Sequence, residues 1–219
     1  MKNSTHSVRK YLLLFSVLLF SSYIFSQVTL YSENFQDDLG GWSISSNNSS
    51  NGWFNRGTNN AHNSGNTGRY IYSRQYGWWN EYNNNTSIIA TSPTIDLNGY
   101  TNITLNLDIW YRTETDWDGM KIEYSLNNGS TWNDLGSVAN SNWYNDTDVD
   151  AFNNDEDGWS GNSGGWLNRS INLTAENPNF DTSTQVRFRV LFASDGSQTD
   201  RGVAFDEILI EGDLATPQP

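Results

Sequence analysis

The chain has 219 residues, with 25 acidic against 12 basic side chains, 14% aromatics and no cysteine. A net charge of −13 excludes nucleic acid and anionic lipid as natural partners, because their binding needs clustered Lys and Arg. The absence of cysteine excludes disulfide staples, a thiol nucleophile and a lipid on an N-terminal Cys, and the aromatic content is unlike that of a disordered chain.

The first 26 residues form a unit of their own. Lys2, Arg9 and Lys10 precede an apolar run from Tyr11 to Phe25, and Ser26-Gln27 offers a small residue at a cleavage point. The run is shorter and more serine-interrupted than the about 20 apolar residues of a membrane span. Residues 1–26 therefore read as a secretory signal, with an uncleaved anchor as the alternative. Cleavage leaves nine basic against 25 acidic residues, a net charge of −16 that attracts divalent cations, and no further segment suited to membrane insertion. Residues 27–213 suit one domain, and 214–219 (Leu214-Ala215-Thr216-Pro217-Gln218-Pro219) read as a tail or the start of a linker to further domains.

Along the exported part, strands are expected at 30–35, 69–73 and 87–91. The clearest period-two signal follows, with Ile103, Leu105, Leu107, Ile109 and Tyr111 alternating with polar residues. Met120, Ile122, Tyr124 and Leu126 repeat the pattern, and so do Val186, Phe188, Val190 and Phe192. Weaker strands are expected at 166–173 and 203–211. Turn signals stand between them at Asp38-Leu39-Gly40-Gly41, Leu97-Asn98-Gly99, Asn127-Asn128-Gly129 and Asp195-Gly196, with Asn128-Gly129 suited to a hairpin. Two polar stretches, 45–66 and 140–165, read as long loops, and no segment shows a helical period with caps. Many strands joined by short turns predict an all-β fold, an antiparallel β-sandwich of jelly-roll type.

The order of short motifs then resembles a known bacterial module. Glu33-Asn34-Phe35 is followed by Gly41-Trp42, by Ser92-Pro93-Thr94-Ile95-Asp96-Leu97, by Trp110-Tyr111-Arg112-Thr113-Glu114, by Gly129-Ser130-Thr131-Trp132 and by Gly202-Val203-Ala204-Phe205-Asp206-Glu207-Ile208. This resembles the MAM-like jelly-roll domain accompanying immune inhibitor A-type metallopeptidases, and more loosely the cleaved adhesin domains of gingipain-like proteins. The resemblance implies a sandwich, MAM-like and of concanavalin A-like or galactose-binding-like architecture, on an exported protein that is secreted, periplasmic or at the bacterial cell surface. Animal MAM domains carry disulfides, which this chain cannot form.

Catalytic constellations are sparse. His62 is the single histidine after the signal and stands in an Asn/Gly/Ser stretch, and no His-Glu-x-x-His segment exists. Glu114, Asp116 and Asp118 alternate, as a glycosidase pair on a strand would, but Asp118-Gly119 reads better as a turn.

Metal chemistry is the alternative use of the acids. Asp206 shares its strand phase with Ala204, Ile208 and Ile210, so without a bulge it would enter an apolar face, where a carboxylate needs a cation or an arginine. Glu33 is its companion if first and last strands are neighbours. The resemblance implies Glu33 and Asp206, with Asp37 or Asp38, as structural calcium ligands; the alternative pairs Asp206 with Arg187 or Arg189, or with a turn. The acidic run Asp146 to Gly158 resembles a calcium loop in composition only and reads as solvated.

Trp78, Trp79, Tyr82, Trp117, Trp143 and Tyr144 fall in expected loops or strand ends, a composition suited to stacking on sugar rings, or to plugging the ends of the sandwich. The expectation is thus a non-catalytic, calcium-stabilised recognition or adhesion module for glycan or surface protein. A purely structural accessory domain and a carbohydrate-active enzyme are the alternatives.

Overall fold

A computed structural model of the chain describes residues 27–47, 53–57, 68–74, 81–152 and 156–215. The signal segment, His62, Trp78 and Trp79 lie outside them. Among the described residues thirteen strands run in order: β1 (Val28–Glu33), β2 (Ser43–Ser46), β3 (Trp53–Gly57), β4 (Tyr70–Arg74), β5 (Ser87–Thr91), β6 (Tyr100–Arg112) and β7 (Gly119–Ser125), then β8 (Asn133–Asp134), β9 (Asp146–Val149), β10 (Glu156–Ser160), β11 (Leu167–Asn172), β12 (Arg187–Ala193) and β13 (Gly202–Leu214). A single helical turn, α1 (Leu173–Glu176), is capped by Asn172.

The strands form two sheets, antiparallel throughout. One has the order β11-β6-β13-β4-β3, with β1 also on β13; the other has the order β2-β5-β12-β7-β10-β9, with β8 on β7. The alternation in the sequence sets which side chains meet between them. Ile103, Leu105, Leu107 and Ile109 of β6 face Met120, Ile122 and Tyr124 of β7 and Phe188, Val190 and Phe192 of β12 in one core. Each such aliphatic side chain contributes about 2 kcal/mol on leaving water. Phe35, Phe54 and Trp42 close on Phe205 with ring centroids 5.6–5.7 Å apart, mostly edge to face. The other face of the first sheet carries a separate cluster, Tyr70, Tyr72, Trp110 and Ala204, with Trp166 against it.

The expected hairpin forms after β7. Asn128 and Gly129 both have positive φ, 55° and 89°, and β8 returns alongside β7. The stretches read as loops hold β2, β3, β9 and β10, short strands of low apolar content that form because β5, β4 and β7 offer edges to pair with.

Two expectations about the last strand divide. β1 does pair with β13, Glu33 opposite Ile208. The phase of Asp206, however, is corrected by a bulge: the β6–β13 register shifts between Asp206 and Leu209, and Glu207 has φ 51°. Val203 and Phe205 face the core before the bulge, and Ile208 and Ile210 after it. Asp206 is therefore in step with Ala204 on the opposite face, fully buried and across from Asp108. Arg187 and Arg189, its alternative partners, belong to the other sheet, where they bind the Ser92 carbonyl and Glu123.

Candidate functional site

Three connections meet at one end of the sandwich: 81–86 before β5, 113–118 between β6 and β7, and 194–200 between β12 and β13. Tyr82 is the hub. Its hydroxyl donates to Asp118 Oδ2 at 2.5 Å and accepts from the Glu114 amide at 3.0 Å. Asp118 Oδ1 accepts from the Asp195 amide at 2.7 Å, so both oxygens of this fully buried carboxylate are engaged. Glu114 takes a hydrogen bond from the Gln198 amide group, while its Oε2 is buried with no hydrogen-bond partner. Asn85 N bonds to Asp195 O, and Ser194 Oγ to Asn83 O at 2.7 Å, tying the first connection to the third.

The middle connection is braced from further segments. Thr113 Oγ1 donates to Asp118 O at 2.9 Å and accepts from Gly161 N at 3.0 Å. Asp116 N reaches Ser160 Oγ at 3.0 Å, while Asp116 O and Trp117 O accept from Asp150 N and Ala151 N at 3.0 and 2.9 Å. Burial is the main reason the Asp118 carboxyl is pushed up to about 6, helped by the neighbouring Asp195 and Glu114 charges and opposed by its two hydrogen bonds. Glu114 is raised for the same first reason and then by Asp195. The Tyr82 hydroxyl is raised by burial and by its bond to Asp118.

Carboxylate oxygens of Glu114, Asp118 and Asp195 lie within 4.8 Å of one another, the one such acidic trio among the described residues. With both Asp118 oxygens facing protein donors, the trio is an anchor for three loops. Asp118 is moreover fully buried, whereas a glycosidase carboxylate has to meet a sugar carbon or an attacking water.

A second place concerns the expected metal ligands. Glu33 Oε1 accepts from Phe35 N at 2.6 Å, and Asp38 Oδ1 from Gly40 N at 2.6 Å. Gly40 has φ 56°, and a Cβ there would stand 1.6 Å from Glu33 Oε2, so the turn cradles that carboxylate only because residue 40 is glycine. A cavity of about 700 Å3 opens beside the turn, lined by Glu33, Asn34, Asp37, Asp38, Asp108 and Glu207 among others. Carboxylate and amide oxygens of this kind are the donors a hard divalent cation takes. Asp206 lies one strand pairing away, opposite Asp108.

The expected ligand-binding aromatics separate in the structure. Trp143 and Tyr144 are 1% and 6% exposed, in the core, where packing prevails over presentation. They form a triangle with Trp159 at centroid distances of 5.6, 5.0 and 4.7 Å. Their polar atoms are satisfied inside, Trp143 Nε1 by Leu135 O at 2.7 Å and Tyr144 OH by the Ile122 backbone. Tyr82 is likewise enclosed, in the network above. Trp117 differs, being 48% exposed. Sequence reasoning missed the outward polar stripe of the second sheet, where buried Lys121 meets Glu123, Asp134 and Glu156, and Arg189 meets Glu123 and stacks 4.5 Å over Trp132. Its signal was the polar half of the β7 and β12 alternation.

No protein-family model matches the chain, and no curated protein does. Among solved structures, the K1 cleaved adhesin domain of Lys-gingipain from Porphyromonas gingivalis W83 is similar, with 12% identity over 86% of this chain and 99% of that one, TM-score 0.49. The K3 cleaved adhesin domain of the same protein gives 13% identity, 85% and 99% coverage and a TM-score of 0.46. The CBM22-1 xylan-binding domain of Paenibacillus barcinonensis Xyn10C gives 9% identity, 88% and 98% coverage and a TM-score of 0.45. The β-sandwich itself is read from the two antiparallel sheets of this chain.

Proposed function

We propose that this protein is an exported, non-catalytic recognition or adhesion module that binds glycan or surface protein outside the cytoplasm, at the bacterial cell surface. The observation that carries the reading is the use made of the loop acids. Asp118 is enclosed, both its oxygens hold other loops in place, and the end of the sandwich is thereby a shaped, braced surface instead of a reactive one. The similar solved structures include modules described as adhesin and xylan-binding domains, which accords with this class. The MAM-like relationship rests on the motif order in the sequence.

Calcium belongs to the same proposal. Glu33, Asp37 and Asp38, which line the oxygen-rich cavity beside the Gly40 cradle, would hold it, with Asp206, buried one strand pairing away and outside that lining, as the fourth expected ligand. Bound there, calcium would supply charge neutralisation between the β1 turn and β13 and no reaction chemistry. What the chain itself contributes is the tight 33–40 turn, locked by the Phe35 and Gly40 amides.

The test is binding of the purified protein, with calcium present, to a panel of polysaccharides and cell-surface proteins, alongside a reducing-sugar assay. Saturable binding without sugar release supports the reading. Release of reducing ends would replace it with a carbohydrate-active enzyme, and the absence of any binding would leave a structural accessory domain.

A further inference from the structure

The 113–118 connection combines two properties that seldom go together in a loop. The loop is fastened from four directions, its backbone by Tyr82, Ser160 and the 150–151 turn and its Asp118 carboxylate by the Asp195 amide, yet the residue near its tip is a tryptophan with half its surface in water. A half-exposed aromatic on a rigid mount leaves part of its possible burial energy unrealised and cannot relax away from solvent. Asp116, just before it, has φ 68°, a left-handed conformation that a non-glycine residue adopts at some cost and that the surrounding bonds over-determine. Such outliers collect where a chain must present a particular group.

From this mount we propose that Trp117 is a preformed stacking platform for the ring of a neutral sugar, with hydroxyls of that sugar met by acceptors on the exposed neighbours Thr115 and Asp116. The inference rests on the binding-module reading above and names the ligand class and the ring that meets it.

Three observations select a neutral glycan. First, the other exposed large apolar residues among those described are Val28, Val138 and Leu214, all far from Trp117 in the chain, so the described residues of the 113–118 connection and its bracing segments offer one exposed ring and not the apolar cluster that centres a protein interface. A single flat ring suits the C–H face of one sugar. Second, the loop is acidic, carrying Glu114, Asp116 and Asp118 on a chain whose net charge is −13. Uronic, sialylated or sulfated sugars would face like charge, which is costly in association. Third, the backbone is already ordered, so binding does not have to freeze the loop, and one aromatic contact then counts for more.

Affinity gel electrophoresis tests this with the purified protein in gels containing soluble xylan, β-glucan, galactomannan or hydroxyethyl cellulose, and heparin as an anionic probe. The variants are Trp117→Ala and Trp117→Tyr. Because Trp117 is exposed, both should keep the wild-type melting temperature, which circular dichroism checks. Retardation of the wild type by at least one neutral polysaccharide is expected, weakened at least tenfold in Trp117→Ala and largely restored in Trp117→Tyr. Equal retardation of wild type and Trp117→Ala would overturn the platform while leaving the binding-module reading standing. Retardation by heparin alone would overturn the choice of a neutral ligand. No retardation by any neutral polysaccharide would overturn both the platform and the glycan form of the proposed function.

Discussion

Replacing Asp118 by Asn removes the enclosed charge of the loop network with little change in shape. The Asn carbonyl can still accept from the Asp195 amide, and its amino group can face the Tyr82 oxygen. In the folded wild type the carboxyl is raised from 3.8 to about 6, chiefly by burial. The folded state therefore holds a proton that the unfolded chain releases, and stability contributed by this group is present below about pH 4 and lost as the pH climbs through 6. A difference of about two pH units corresponds to about 3 kcal/mol. The stability of Asp118→Asn relative to wild type should thus rise by about 2.5 kcal/mol between pH 4 and pH 7, the remainder lying below pH 4. Glu114 and Asp195 face the same site and are present in both proteins, so most of their effect cancels in the difference. Urea unfolding followed by tryptophan fluorescence, in chelator at half-unit pH steps, measures it. Parallel profiles for the two proteins would refute the argument that burial, and not a neutralising partner, governs Asp118.

Further outcomes follow from the same structure. Lys121→Met should cost about 2 kcal/mol in urea unfolding, because the buried ammonium is held by Asp134, Glu123 and Glu156 together; an unchanged midpoint would mean those carboxylates add nothing. Trp143→Ala should cost about 3–5 kcal/mol by leaving a core cavity, whereas Trp117→Ala should stay within about 0.5 kcal/mol, and similar losses would contradict the placement of the two rings. With calcium at 100 times its Kd the native state gains about 2.7 kcal/mol, so melting should be higher in calcium than in chelator. Glu33→Gln or Asp206→Asn should erase that difference, and identical wild-type melting in both conditions ends the calcium proposal.

Local pattern and tertiary placement can be separated residue by residue. Period-two alternation in β6, β7 and β12 identified the core faces from sequence, because a strand's two sides differ in every second residue whatever its partner. Asn128-Gly129 announced its turn for an equally local reason, the tolerance of both residues for positive φ. β3, β9 and β10 carried no such signature, since they form by pairing with β4, β10 and β7 and not through an alternation of their own.

The candidate site was legible as composition but not as arrangement. Trp117 and Trp143 look alike in sequence, each a tryptophan in a polar stretch. Only the fold decides that one packs on Trp159 with its N–H satisfied by Leu135 while the other is held out in solvent. Asp206 turns on a single inserted residue, because one bulge exchanges the two faces of everything beyond it. The sequence by itself determined an acidic, cysteine-free sandwich behind an expected export signal, since charge, thiol content and strand period are sums over residues. Exposure and convergence are relations between residues distant in the chain, and those the tertiary structure alone decided.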